Sequence, residues 1–273
     1  MRFRKSLPEI NRLSIVSATI MLAFALTQLI SFPAQIFSFS IFSILVELIL
    51  DFNTIITILT SVLSAAGMHW LIISHPGWEP QENLWEVVQH WIVPVLTALV
   101  IGVALNSFSG SSLWWVVFVL GSILLVAVFI AEYNVVSEQG VRHPFATVGL
   151  TGLSFALYLL LAIAIFSANL RLYIRLPLLL TAAMMVISRS LYLRLKSWET
   201  LWAVIGSLIV SELAIGLHYL PLSPIHNGIL LVGTAYILTS IMMGIKENRT
   251  GLRFWIEPIT MFVLFVFVSV VLV

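Results

Sequence analysis

With 60% apolar residues, only 9% charged ones and a mean hydropathy of +1.10, this 273-residue chain is too apolar for a soluble protein, whose charged fraction is about 25%. The solvent is therefore lipid. Thirteen scattered basic residues and a net charge of +1 argue against a nucleic-acid groove, and the absence of cysteine excludes disulfides, thiolate nucleophiles and thiolate metal sites.

A crossing of a 30 Å hydrocarbon core takes roughly 20 apolar residues, so the length admits about eight to ten helices. No stretch is polar enough for a separate soluble domain, and residues 1–273 read as a single integral membrane domain. The basic start, through Arg2, Arg4, Lys5 and Arg12, precedes an apolar run at Leu13–Ser31. That run is too long for a signal-peptide core and has no Ala-x-Ala site, so it reads as a retained first crossing. Further runs follow at Thr54–Ser74, Val88–Asn106, Leu113–Glu132, Ala146–Ser167, Leu176–Leu193, Leu201–Tyr219, Gly228–Ile245 and Trp255–Val273. None alternates with period two, so helices are expected rather than barrel strands, giving an all-α polytopic bundle. Tryptophans such as Trp70, Trp91, Trp114, Trp198 and Trp255 mark the interfaces.

Ala34–Leu50 is barely long enough to span. Ser40, Ser43, Glu47 and Asp51 recur at spacings of three or four, which predicts a short re-entrant or interfacial helix over 34–50 with one polar face. The bias of basic residues toward the cytoplasm decides the threading. If this segment does not cross, every Lys and Arg except Arg171 and Arg175 shares the side of the N-terminus; if it crosses, the bias vanishes. The expectation is nine crossings in an inner or plasma membrane, with the N-terminus cytoplasmic and the C-terminus external.

Three groups of residues could carry chemistry. In the connection from His75 to His90, Glu82, Glu86 and His90 fall at i, i+4 and i+8 if the third helix starts early. They could ligate a divalent cation, with His69 or His75 completing the shell, or serve as acid and base. Glu132, Glu138 and His143 share that side. The plainer alternative is a solvated acidic helix start favoured by the helix dipole.

Glu212 is the costliest residue. It sits near the middle of the seventh crossing, where a charge costs about 2.5–3.5 kcal/mol, so it needs a cavity, a partner or a proton. Arg189 of the sixth crossing is its natural counter-ion, the pair forming either a relay or binding site or a structural lock. On the seventh helix Ala203, Ser207, Ser211 and Ala214 form a stripe of small residues suited to close packing, and Glu212 points away from it.

The third group is Glu47 and Asp51, an acidic pair that could bind a cation or gate a vestibule, or simply be the wet side of an interfacial helix.

Signature motifs are lacking: there is no nucleophile elbow, phosphate-binding loop or dinucleotide loop, only one aspartate, and no mid-helix lysine for retinal. The sequence names no cofactor. It reads as an integral membrane protein without catalytic chemistry of its own, either a transporter-like permease or a membrane subunit of a larger complex. The alternative is an interfacial enzyme acting on a lipid or isoprenoid, with Glu82, Glu86 and His90 at its centre. The expected partners are the bilayer and other membrane subunits.

Overall fold

The computed structural model describes residues 8–30, 33, 35–41, 44–75, 84–136, 143–168, 170–249 and 251–271. Those residues form nine helices and two β-strands: α1 (Ile10–Leu29), β1 (Gln35–Ile41), β2 (Ile44–Leu50), α2 (Phe52–Ile73), α3 (Leu84–Ser107), α4 (Leu113–Val136), α5 (His143–Ser167), α6 (Leu172–Leu195), α7 (Thr200–His218), α8 (Pro224–Lys246) and α9 (Leu252–Val271). The first eight helices are long and apolar enough to cross a membrane, and α9 has a shorter apolar stretch, Phe254–Ser269. The protein is thus a multi-pass helical membrane protein. Each long apolar run became a helix because in hydrocarbon a helix satisfies its own backbone polar groups.

The segment at 34–50 differs from expectation. Its described residues form two antiparallel strands, β1 and β2, in which Phe37 pairs with Leu48, Ser38 with Glu47 and Phe39 with Val46. Its Phe-Ser-Phe-Ser-Ile sequence alternates with period two and is rich in aromatic and β-branched residues, which suit a pleated surface. That alternation overrides the helical spacing: among the described residues Ser40 lies on β1, Glu47 on β2 and Asp51 at the start of α2, so these three share no helical face.

The chain falls into two compact units, Met1–His143 and Pro144–Val273. In the first, α1, α2, α3 and α4 enclose a core that includes Ile20, Phe24, Met68, Leu71, Leu125 and Phe129, all 1% exposed or less. Close approach depends on small residues: a Cβ on Gly67 of α2 would fall on the Cγ atoms of Val16 in α1, and one on Gly102 of α3 would meet Thr57 of α2. Ser64 Oγ of α2 donates to the Pro94 carbonyl of α3 at 3.0 Å, and Asn53 of α2 bonds Asn106 of α3 at 2.9 Å.

In the second unit α7 turns its small stripe inward. Ala203, Ser207, Ser211 and Ala214 are all buried, while Leu201, Ile205, Leu208 and Ile209 are exposed. Gly206 lets α7 approach both Ile187 of α6 and Met242 of α8, where a Cβ would lie 3.1 and 3.0 Å from their side chains. Phe155 of α5 packs edge-on against Tyr236 of α8. The outward residues of α9, including Phe262, Val263 and Phe267, are apolar and exposed, as a lipid-facing surface requires.

Candidate functional site

The antiparallel course of α1 to α4 brings the start of α1, the end of α2, the start of α3 and the end of α4 to one end of the first unit. Titratable and aromatic side chains converge there. Its centre is a contact between two crossings: His90 Nδ1 of α3 lies 2.9 Å from Glu132 Oε2 of α4. Glu132 is wholly buried and His90 is 8% exposed. Either the imidazole N–H donates to a carboxylate or a carboxyl O–H donates to the imidazole. The two arrangements differ in the position of one proton, which is the requirement for a relay.

The surroundings hold these side chains in place. Proline at 94 supplies no N–H, so the carbonyl of His90 loses its usual helical donor one turn away. The ring of His75 meets Tyr133 edge-on at 4.5 Å, and His69 meets Trp91 in the same way at 5.4 Å. The Arg12 guanidinium lies 5.2 Å over Trp70 and pairs with Glu9 at 2.9 Å. Cationic, aromatic and carboxylate groups thus share one end of the unit.

Of the expected cation ligands, His90 is paired with Glu132. Glu82, together with Glu138, lies outside the described residues, as does the side chain of Glu86. Among the described residues no group of three His, Asp or Glu is arranged to hold a metal ion. Glu47 sits on β2 opposite Ser38, its side chain outside the described set. Asp51 has a local role, its carboxylate accepting the N–H of Thr54 at 2.9 Å as the N-cap of α2.

Arg189 and Glu212 are not brought together. Arg189 is 0% exposed, with its guanidinium 5.8 Å over Tyr192, whereas Glu212 is exposed on the outer face of α7 beside Leu208. Glu212 forms no hydrogen bond or ion pair among the described residues. The helical wheel gave the direction of Glu212 correctly, but the sequence could not say that this direction leaves the unit.

Two constellations at the ends of the second unit were not anticipated. At one end Arg194 of α6 grips Glu247 with two hydrogen bonds of 2.6 and 3.1 Å, Arg249 joins the same carboxylate, and Lys246 pairs with Glu199 at 2.8 Å. Partial burial pushes the Glu247 carboxyl up, but the bonds and charges of Arg194 and Arg249 outweigh it and hold the group below the usual carboxylate range. At the other end Arg175 Nη1 donates to His218 Nδ1 at 2.6 Å, with Phe166 beneath the guanidinium at 4.8 Å. The sequence signal for His90 and Glu132 was their shared side and similar depth, about 9 and 6 Å from the ends of their helices at 1.5 Å per residue.

No curated protein and no solved structure matches the chain. A family model does match, over residues 32–272, and its description is "Protein of unknown function (DUF5656)". That span covers most of the chain, from β1 to α9, so the protein belongs to the DUF5656 family.

Proposed function

We propose that this member of the DUF5656 family is a proton-coupled, transporter-like permease of an inner or plasma membrane, with a cytoplasmic N-terminus and an external C-terminus. The observation that carries this reading is the His90–Glu132 contact. A carboxyl with no exposed surface, bonded at 2.9 Å to an imidazole on a neighbouring crossing, is expensive to maintain in a membrane domain and serves best as a proton relay. His75 and Tyr133 beside it, and the Arg12–Glu9 pair at the same end, extend the polar route toward the interface. Reconstituted protein should acidify or alkalinise vesicles carrying a trapped pH dye when cation, sugar or amino-acid panels are added under an imposed pH gradient. Glu132→Gln should abolish that movement while the protein still folds. Proton movement unchanged in Glu132→Gln would sink the reading.

A second reading, membrane subunit of a larger complex, is favoured by Glu212. An exposed carboxyl mid-crossing is stabilised when a neighbouring chain donates to it. In this reading the outer face of α7 meets the partner, and mild-detergent purification recovers a stoichiometric companion that Glu212→Leu loses.

A further inference from the structure

We infer that the α6–α7 end bearing Arg171, Arg175 and His218 is a binding site for a phosphate group, supplied either by a lipid headgroup or by a free phosphate. All three residues lie within the second unit, and the inference is independent of the relay proposed for the first.

Arg175 is the reason to look here. It is only 7% exposed, its Nε is buried without a hydrogen-bond partner, and its polar contact is with an imidazole rather than a carboxylate. A desolvated guanidinium without a counter-ion is costly, and an anion offsets that cost. Neither Arg171 nor Arg175 forms an ion pair among the described residues, whereas Arg12, Arg194, Lys246 and Arg249 all do. The carboxylate on the same helix as His218, Glu212, lies six residues deeper, about 9 Å along the axis and about 120° around it.

The chemistry of the contact directs the remaining donors. Arg175 can only donate, so His218 Nδ1 must accept, and its proton sits on Nε2. The imidazole therefore presents an N–H donor beside a fixed positive charge. Tyr219, edge-on to the ring at 5.2 Å, holds it in place. Arg171 is the exposed N-cap of α6, one helical turn before Arg175, and makes no side-chain cap bond. The positive dipole end of α6 thus lies one helical turn from Arg175, where it favours the same anion. Two guanidinium forks, an imidazole N–H and a helix N-terminus suit the several oxygens of a phosphate better than a single carboxylate.

Depth agrees with the assignment. Arg175 lies about 4.5 Å inside the start of α6, within the headgroup layer that separates a core of about 30 Å from a full thickness of about 40–45 Å. In the nine-crossing threading these are also the two basic residues opposite all the others, and a dedicated anion explains why they stand apart.

The full chain, purified in detergent, is titrated with inorganic phosphate by calorimetry, and in parallel with phosphatidylglycerol and phosphatidylcholine by native mass spectrometry. Saturable binding of at least one probe is expected. Arg175→Gln should weaken it about tenfold or more, the loss expected for a charged hydrogen bond, with Arg175→Lys intermediate because the fork is gone. Arg171→Ala and His218→Gln, at less buried positions, should each weaken the same probe and keep the proposal testable if Arg175→Gln misfolds. Phosphate binding identifies a free anion, and retention of phosphatidylglycerol without phosphate binding identifies a headgroup. Absence of binding by both phosphate and lipid, or binding equal in wild type, Arg171→Ala and His218→Gln, overturns the site.

Discussion

Glu132 Oε2 and His90 Nδ1 stand 2.9 Å apart across α3 and α4, and the carboxyl is completely shielded from solvent. Leu125 and Phe129 precede Glu132 on α4 in the core, so the carboxyl continues an otherwise apolar packing face. A packed position that carries a carboxyl must supply a partner, because a buried acceptor left alone costs about 1–3 kcal/mol and a buried charge more.

The first expectation concerns that pair. Glu132→Ala removes the 2.9 Å contact to His90 and opens a void, and should destabilise the protein by about 2–4 kcal/mol in thermal unfolding followed by circular dichroism in detergent. Glu132→Gln keeps the shape and one hydrogen bond, and should lose less than half as much. Equal losses in the two variants would mean that the carboxyl itself, and not the volume it fills, sets stability at this position.

Asp51 separates a local role from a gating one. As the N-cap of α2 it accepts from Thr54 N, so Asp51→Ala should lower stability by about 1 kcal/mol and Asp51→Asn by only a few tenths. Solute or proton flux through Asp51→Asn should match wild type. A large loss of flux in Asp51→Asn at unchanged stability would restore the cation-binding role.

The contrast between α2 and the segment before it explains what the sequence could and could not reveal. In α2, as in the other crossings, one dominant force acts: an apolar run in lipid has to be a helix, and its ends follow from where polarity returns. At 34–50 two periodicities coexist, the three-to-four spacing of Ser40, Ser43, Glu47 and Asp51 and the alternation of Phe37, Phe39 and Ile41 with serines. Strand pairing between β1 and β2 settles the matter, and pairing is not a local property. The candidate site divides in the same way. That Glu212 points away from the small stripe is a helical-wheel fact, legible in α7 alone. That His90 meets Glu132, or Arg175 meets His218, depends on how neighbouring helices rotate against each other. Small residues such as Gly67, Gly102 and Gly206 set that rotation through contacts with other helices.

Gly67 provides the direct check of that packing. A methyl group there would overlap the side chain of Val16, a β-branched residue whose rotamer is restricted in a helix. Gly67→Ala should cost about 1–3 kcal/mol despite the gain in helix propensity, and Val16→Ala in the same chain should recover part of the loss. Additive effects in the double-mutant cycle would contradict the α1–α2 contact.

Acid should act through Glu247. Its carboxyl is held below its ordinary value of 4.5 by Arg194 and Arg249 despite the opposing effect of burial. A depressed folded-state value means stability that is fully present above the unfolded value and is lost as pH falls through the folded one. Glu247→Gln should therefore be less stable than wild type near neutrality by about 0.5–1 kcal/mol, the range for a partly exposed pair. The gap should narrow below about pH 4, read as melting temperature against pH. A constant gap from neutral to acid pH would show that the carboxylate charge contributes nothing.

Glu212 offers the sharpest division between a permease that works alone and a subunit that needs company. Within the described residues it has no hydrogen bond or ion pair to lose, so its replacement should leave the bundle intact. Glu212→Gln should melt within about 0.5 kcal/mol of wild type, as surface substitutions do. Glu212→Leu removes a polar group from an exposed face that already carries Ile205, Leu208 and Ile209. In hydrocarbon it should be neutral or stabilising, by up to the 2.5–3.5 kcal/mol assigned to a charged residue at mid-membrane. If another chain normally covers that face, Glu212→Leu should instead shift the assembly, seen as a smaller particle in size-exclusion chromatography with light scattering. A marked fall in melting temperature at unchanged particle size would mean that Glu212 is held from within this chain, and that neither a lipid nor a partner surface describes the outer face of α7.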